Sequence, residues 1–484
     1  MVRLRFFRFT PLVSVIGFAV IGSTAHAAGV DGHRAASHEM RLSLPQAVSI
    51  AVMRNLRMAD SRLAIAEKEH QRRQALSDFF PSIQLQYTAG TDKYQQQILN
   101  DFLINTQLYT SQSNVEMLSG THPSRWVVRG DPAAGGLAPD YPYRIDPYRS
   151  FALTVTVTQP LFTGGRLLND YKFASLGVDY SAIQFEVDRQ DLILDVYAAY
   201  YQLLQAIKLS GVANDSIRAL QSIRNVTREF YRNSVVSKAD VLAAEGQLVQ
   251  AHIQQTQAKT DIQQAKAKLN LLLRNLQEAP LQIVEDLTYT PTPYRIPNIY
   301  TTAAANRLEI HQANISSDQA TAMVRSAKAD LLPSVSIQAR GARLNDDWNV
   351  FDPEGTNDYM IQGVLMWSFD TFRQREGVKE KRASEARAFV AREQVVEQVM
   401  NEVKMAYLDM KSSESDIHNN RAAVHFRREN FRINRANYID QVATYTELLD
   451  AQRQLSMSEG DYIVSVIGYL NNRAVLERKM GILR

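Results

Sequence analysis

Two periodicities take turns along the chain. The first places apolar residues every three or four positions, the spacing of one helix face. Ile193, Tyr197, Tyr200, Leu204 and Ile207 step this way within residues 167–232, a span without proline. At about 1.5 Å per residue, a helix of that length reaches roughly 100 Å. Residues 373–436 form a second long span, where Ile417, Val424, Phe431 and Tyr438 recur at heptad spacing. A shorter helix follows each. From 241 an unbroken seam reads Val241, Ala244, Leu248, Ala251, Gln255, Ala258, Ile262, Ala265, Leu269, Leu272. Its alanines let neighbouring backbones approach closely. From 448 the seam reads Leu448, Ala451, Leu455, Ser458, Tyr462, Ser465, Tyr469, Asn472, polar enough for a helix layer with one side toward water. Helical segments at 43–78 and 301–331 open each half.

The second periodicity is strict alternation. It begins twice after the same phrase, "SDFFPSIQLQY" (77–87) and "ADLLPSVSIQA" (329–339), where Pro81 and Pro333 stop a helix. Ile83, Leu85 and Tyr87 share a face, as do Phe151, Leu153, Val155 and Val157. Val335, Ile337 and Ala339 form a third row; Tyr359, Ile361, Gly363, Leu365 and Trp367 form a fourth. Ser, Thr and Gln dominate the opposite faces. The segments predict two hairpins, one across the connection 89–149 and one with its tip near Asn345–Asn357. "QPLFTGGRL" (159–167) and "MWSFDTFRQ" (366–374) lead back into helix, aligning Phe162 with Phe369 and Arg166 with Arg373. Prolines at 280, 291, 293 and 297 argue against helix in 279–300, which reads as a linker. The expected organisation is therefore a duplication: 28–278, helix, strand, strand, long helix, helix, and 301–484 in the same order.

Four strands with one greasy and one polar face cannot close a barrel, since the smallest membrane barrels have about eight. Open edges in lipid would leave backbone groups unpaired at several kcal/mol each. Closure by association of three chains would give twelve strands, apolar side to lipid and polar side to a watery bore, with the long helices continuing the tube. The competing reading is a soluble coiled-coil protein whose hairpins face a core.

Residues 1–27 have the form of a secretory signal: Arg3, Arg5 and Arg8, an apolar run at 11–22, and Ala25-His26-Ala27 at the cleavage position. The chain has no cysteine, hence no disulfide and no lipidation site. A net charge of +3 gives no reason to expect nucleic acid. No apolar run long enough for a helical membrane span follows residue 28.

The ordered set "LSLPQAVSIAVMRN" (42–55), the two Pro-Ser strand starts, "QPLFTGGR", and the twin segments "YRNSVVSKADVLAAEGQL" (231–248) and "YIDQVATYTELLDAQRQL" (438–455) resembles the TolC family of outer-membrane export channels. The resemblance covers essentially the whole chain after the signal. It implies a mainly α fold with a small β part: a trimeric, twelve-stranded transmembrane β-barrel continued by a long coiled-coil α-helical barrel. It implies outer-membrane lipid, a periplasmic adaptor and an inner-membrane pump as partners, no cofactor, and conduction rather than catalysis, in efflux or type I secretion. The twin segments become helix–turn–helix tips at the periplasmic entrance. By family pattern Glu447 and Asp450 form the carboxylate ring that narrows it, like charges raising one another's pKa and filtering what passes. Asp240, Tyr438 and its counterpart Tyr231 fall at tip contacts that hold the entrance shut. Ser234, Val235, Gln441 and Val442 fall in the turns that adaptors recognise. Two departures stand out: the family's usual tip glycines are Ser234 and Gln441 here, and an arginine that locks some members closed is Ala443.

Each of these residues also has a plainer reading. Thr444 to Glu447 is a capping box and Ser237 to Asp240 nearly one. Trp367, Phe369 and Phe372 are either ordinary core or an aromatic girdle at the periplasmic membrane interface. The 89–149 insert is a lid, a receptor surface or a tolerated loop. No histidine spacing fits a metal, "TGGR" is no phosphate loop, and no nucleophile elbow occurs. A soluble periplasmic coiled-coil adaptor or scaffold is the rival class; no constellation supports an enzyme.

Overall fold

The computed structural model describes residues 40–92, 125–126, 143–144, 148–345, 348–353, 355–368 and 370–483. The expected signal 1–27, Phe369 and most of 89–149 lie outside these residues. The short strand β1 (Met40–Leu42) precedes α1 (Leu44–Arg54) and α2 (Leu56–Ser77). Pro81 then releases β2 (Ser82–Asp92), and after the short β3 (Arg125–Trp126) and β4 (Tyr143–Arg144) comes β5 (Tyr148–Phe162). The long α3 (Arg166–Arg232) and shorter α4 (Lys238–Leu273) complete this half. After β6 (Leu281–Ile283) the same order repeats: α5 (Ile296–Asn306), α6 (Leu308–Ala329), β7 (Ser334–Asn345), β8 (Thr356–Met366), α7 (Thr371–Ile439) and α8 (Tyr445–Lys479).

Two expectations need correction. The segments 43–78 and 301–331 are not single helices. Asn55 (ψ 139°) and Arg307 (ψ 115°) take extended backbone and break each in two. Asn55 caps α2 by accepting from Arg57 N and donates to Leu272 O at the end of α4, 3.0 Å away. Arg307 likewise donates to Arg478 O near the end of α8, at 3.1 Å. Helix also begins inside 279–300, because Pro297 sits in the first turn of α5, where its missing N–H has no partner to lose. The rest of that segment is tied down: β6 pairs in parallel with β1, and buried Tyr200 donates its hydroxyl to Val284 O at 2.8 Å.

Helices α2, α3, α6 and α7 lie side by side in that order, with α4 against α3 and α8 against both α7 and α3. The predicted α4 and α8 seams face inward at every position named above. On α3 the buried stripe is wider than a heptad seam: Leu192, Ile193, Val196, Ala199, Leu203 and Leu204 are all enclosed. An ion network joins the halves. Buried Arg478 pairs with Asp191 of α3 at 2.7 Å and Glu309 of α6 at 2.9 Å; buried Arg307 pairs with Glu402 of α7 at 2.7 Å.

The strands form one antiparallel sheet of order β2-β5-β7-β8, so the two hairpins meet through β5 and β7. At its foot the "TGGR" turn holds Gly164 at φ 64° and Gly165 at φ 89°. A Cβ on Gly164 would lie 2.7 Å from Ala329 O, whereas one on Gly165 would find its nearest atom at 3.7 Å. We expect Gly164→Ala to cost about 2 kcal/mol or more and Gly165→Ala only about 1 kcal/mol, read as unfolding temperature by circular dichroism.

Candidate functional site

The register separates the two sheet faces. Ile83 lies across from Val157, Val157 from Ala339 and Ala339 from Ile361, and the same rows carry Leu85, Val155, Gly341 and Tyr359. This face is uncovered: Ile83 is 74% exposed, Leu85 68%, Ile361 81% and Leu365 66%. The opposite face carries Gln84 and Gln86 on β2, Thr154, Thr156 and Thr158 on β5, and Gln338 and Arg340 on β7. On β8 the expected polar row is only partly polar: Gln362 stands among Met360, Val364 and Met366. The alternation of β8 places them there, since its apolar content is high on both sides. Among the described residues β2 and β8 pair on one side only and leave two open edges.

At the sheet's foot, Trp367 is half-exposed and its indole N–H donates to Leu331 O at 3.3 Å. Phe372 is almost fully exposed. Both stand away from the core clusters; Phe80 before β2 and Leu161 and Phe162 at the end of β5 are exposed as well. Phe369 lies outside the described residues.

At the far end of the helices, both tip turns close as Schellman motifs. Val235 N–H donates to Phe230 O at 2.8 Å and Ser234 N–H to Tyr231 O at 2.9 Å. Val442 N–H donates to Asn437 O at 2.8 Å and Gln441 N–H to Tyr438 O at 3.1 Å. The motif needs a left-handed residue at its C′ position. Ser234 (φ 60°) and Gln441 (φ 63°) supply it without being glycine. Val235 and Val442 are exposed on these turns.

The next helices start with capping boxes. Ser237 N–H and Oγ reach the Asp240 carboxylate at 3.0 and 2.8 Å. Thr444 N–H and Oγ1 reach Glu447 at 2.8 and 3.0 Å. The backbone N–H of Thr444, and then its hydroxyl, hold the Glu447 carboxyl below the usual carboxylate range. Asp450, one turn on, accepts from Arg453 at 2.8 Å and also from Gln454. It borders a groove of about 480 Å³ between α3, α4 and α8, with Gln250, Gln254, Arg453 and Met457.

Tyr438 is buried, and its hydroxyl lies 3.0 Å from Thr227 Oγ1 on α3. The Asp240 carboxylate serves the cap of its own helix, and its charge still bears on the nearby Tyr438 phenol. Burial raises the Tyr438 and Tyr445 phenols, Tyr445 to about 12. Tyr231 is exposed. Thr227 was missed, yet a signal existed: in the seam Leu220, Ile223, Thr227, Phe230 it is the one polar position. Arg453 was missed because its partner lies three residues away on an exposed face.

Among the described residues no helix is long and apolar enough to cross a membrane, and no cluster of metal-ligating side chains occurs. What the geometry offers is an open two-faced sheet, long staves and a capped, charged tip. Comparisons with known proteins place this arrangement. Residues 47–273 and 299–472 match the outer membrane efflux protein family, and the chain belongs to it. It is 21% identical over 370 residues to outer membrane protein TolC of Escherichia coli (strain K12), covering 72% of this chain and 74% of that one. The solved structure of the Campylobacter jejuni CmeC outer membrane channel superposes with TM-score 0.71 at 15% identity over 90% of this chain and 85% of that one. VceC of Vibrio cholerae gives 0.70 at 14% identity over 90% and 96%. The protein is thus a channel of the outer membrane serving efflux, and not an enzyme.

Replacing Ser234 and Gln441 by glycine should stabilise each tip by about 1 kcal/mol, measured by thermal unfolding. A carboxyl held low in the folded state adds stability above its unfolded pKa and loses it as pH falls through the folded one. Glu447→Gln should therefore melt below the wild type at neutral pH, and the gap should close in acid.

Proposed function

We propose that three copies of the chain close a twelve-stranded barrel in the outer membrane, with β8 of each copy pairing β2 of the next, and that their helices continue it as a duct into the periplasm. The observation that carries this reading is the sheet itself: among the described residues, two open edges and an apolar face whose Ile83, Leu85, Ile361 and Leu365 stay exposed. The same feature disfavours a soluble adaptor, which would have to cover that face. The matched element order, and the paired roles of Asn55 and Arg307 at the ends of α4 and α8, support an origin by duplication of a half spanning 28–278 and 301–484 about the linker 279–300.

Cargo passes without chemistry, and an adaptor with its inner-membrane pump supplies the energy. The turns at Ser234–Val235 and Gln441–Val442 are the docking points. Trp367 and Phe372 stand at the periplasmic rim of the barrel as its aromatic girdle, the set to which Phe369 is assigned by sequence. Glu447 and Asp450 narrow the entrance; in a trimer they bring six carboxylates, three of them shared with Arg453. Tyr438, clamped on Thr227, ties α7 to α3 and holds the tip closed, beside Asp240 and Tyr231.

Detergent-extracted protein should run as a heat-stable trimer in dodecyl sulfate; a fully soluble monomer would end the channel reading. In planar bilayers, Glu447→Ala with Asp450→Ala should lose cation selectivity and divalent-cation block, while Tyr438→Phe should raise conductance. Unchanged selectivity and block in the double variant would remove the gate assignment.

A further inference from the structure

At the foot of the sheet, beside the end of α6, opens a recess of about 510 Å³. Ser334 and Met366 line it and lie opposite each other in the register. They continue the row of Gln338–Gln362 and Ser336–Val364, the face away from Ile83, Ile361 and Leu365. The recess therefore opens on the side of the bore, not on the side of the lipid. Arg166 from α3 and Arg373 and Lys381 from α7 reach it from either side of α6, and Leu332 and Met366 give it apolar wall.

The acids around it are Asp330, which also lines it, Asp370, 2.7 Å from Arg373, and Glu380, 3.0 Å from Lys381. The Arg373 and Lys381 pairs are solvent-exposed. Such pairs are worth about 0–1 kcal/mol and exchange partners readily. Arg166 makes no ion pair among the described residues. Neutralising the carbonyl end of α6 does not by itself account for three cations, since Lys328 already stands in its last turn.

We propose that this recess is a binding station for amphipathic organic anions in transit, which deepens the channel reading and rests on it. The carboxylate or sulfonate meets Arg166, Arg373 and Lys381; guanidinium groups bind such oxygens in pairs. The apolar body lies on Leu332 and Met366. Above it, Met366, Val364 and Met360 form a soft, unbranched or small-branched strip up β8, along which the body moves outward while Gln362 and Arg340 keep the headgroup wet. The volume falls within the usual range of small-molecule sites, roughly 300–1,000 Å³.

The test is single-channel recording of the full-length protein in planar bilayers with naphthalenesulfonate as blocker. Sulfate and a naphthylmethyl trimethylammonium salt serve as controls. Naphthalenesulfonate should block best. Its half-blocking concentration should rise about tenfold in Arg166→Gln/Arg373→Gln/Lys381→Gln. Gly377→Leu should raise it similarly without changing any charge, because a Cβ there meets no atom within 4 Å and the larger side chain fills the recess. Equal block by the cationic analogue or by sulfate overturns the proposal, as does wild-type block in both variants. A purely structural role would lower the unfolding temperature and leave block unaltered. If the wild type inserts but shows no conductance step, the channel reading falls and this proposal with it; if it conducts, the two are judged apart.

Discussion

The backbone groups along β2 and β8 set the terms for the whole molecule. In hydrocarbon each unpaired N–H or C=O costs several kcal/mol, more than any side-chain contact nearby can return. A lone sheet with two such edges and a greasy face has no stable place in lipid, and none in water either. The chain answers by being incomplete. Its strands are long enough to cross an outer membrane when tilted, β5 at 15 residues and the others at 11 or 12. The apolar stripes of its helices are partly satisfied within the chain, while Leu242, Val249 and Ile253 on α4 stay exposed.

Beyond the membrane the demands reverse. In the proposed duct the staves hold their length yet part at the tip. The middle of the molecule is therefore dense, with Tyr200 and Tyr469 anchoring the connecting segments and Arg307 and Arg478 riveting helices of both halves. Toward the tip the two hairpins still share an apolar cluster, in which Ile217, Leu220, Ile223 and Leu248 meet Tyr438, Tyr445 and Leu448, and Phe230 packs on Tyr438 at 5.5 Å. Hydrogen bonds from Tyr438 to Thr227, Arg435 to Ser222 and Gln452 to Ser216 fix its register, each worth about 1 kcal/mol net. Capping and gating need not compete at Glu447, since the oxygen that serves the cap leaves the negative charge in place.

Much of this was legible in the sequence because long helices and strict alternation repeat their signal over many residues. The ends of α3, α4, α7 and α8 fell within a few residues of the expected spans. The breaks at Asn55 and Arg307 were not legible: one residue changes ψ while the apolar stripe runs on through both helices. The doubled role of β8 escaped because the polar reading came from the Thr- and Gln-rich strands beside it. At the tip, residue types gave the caps, but which side chain meets Tyr438 depends on how α3 and α7 lie together, and only the seam position of Thr227 hinted at it. The charged recess is three-dimensional in origin, drawing Arg166 and Lys381 from helices more than two hundred residues apart.

The claim that one copy's β8 closes on the next copy's β2 can be measured directly, because the native chain has no cysteine. Leu85→Cys on β2 and Ile361→Cys on β8 lie on the same face at opposite edges of the sheet. Treated with a short bismaleimide in outer-membrane vesicles, the double variant should give a ladder ending at a covalent trimer, and neither single variant should. Protein that stays uncrosslinked, or forms only a bridge within one chain, would contradict the account.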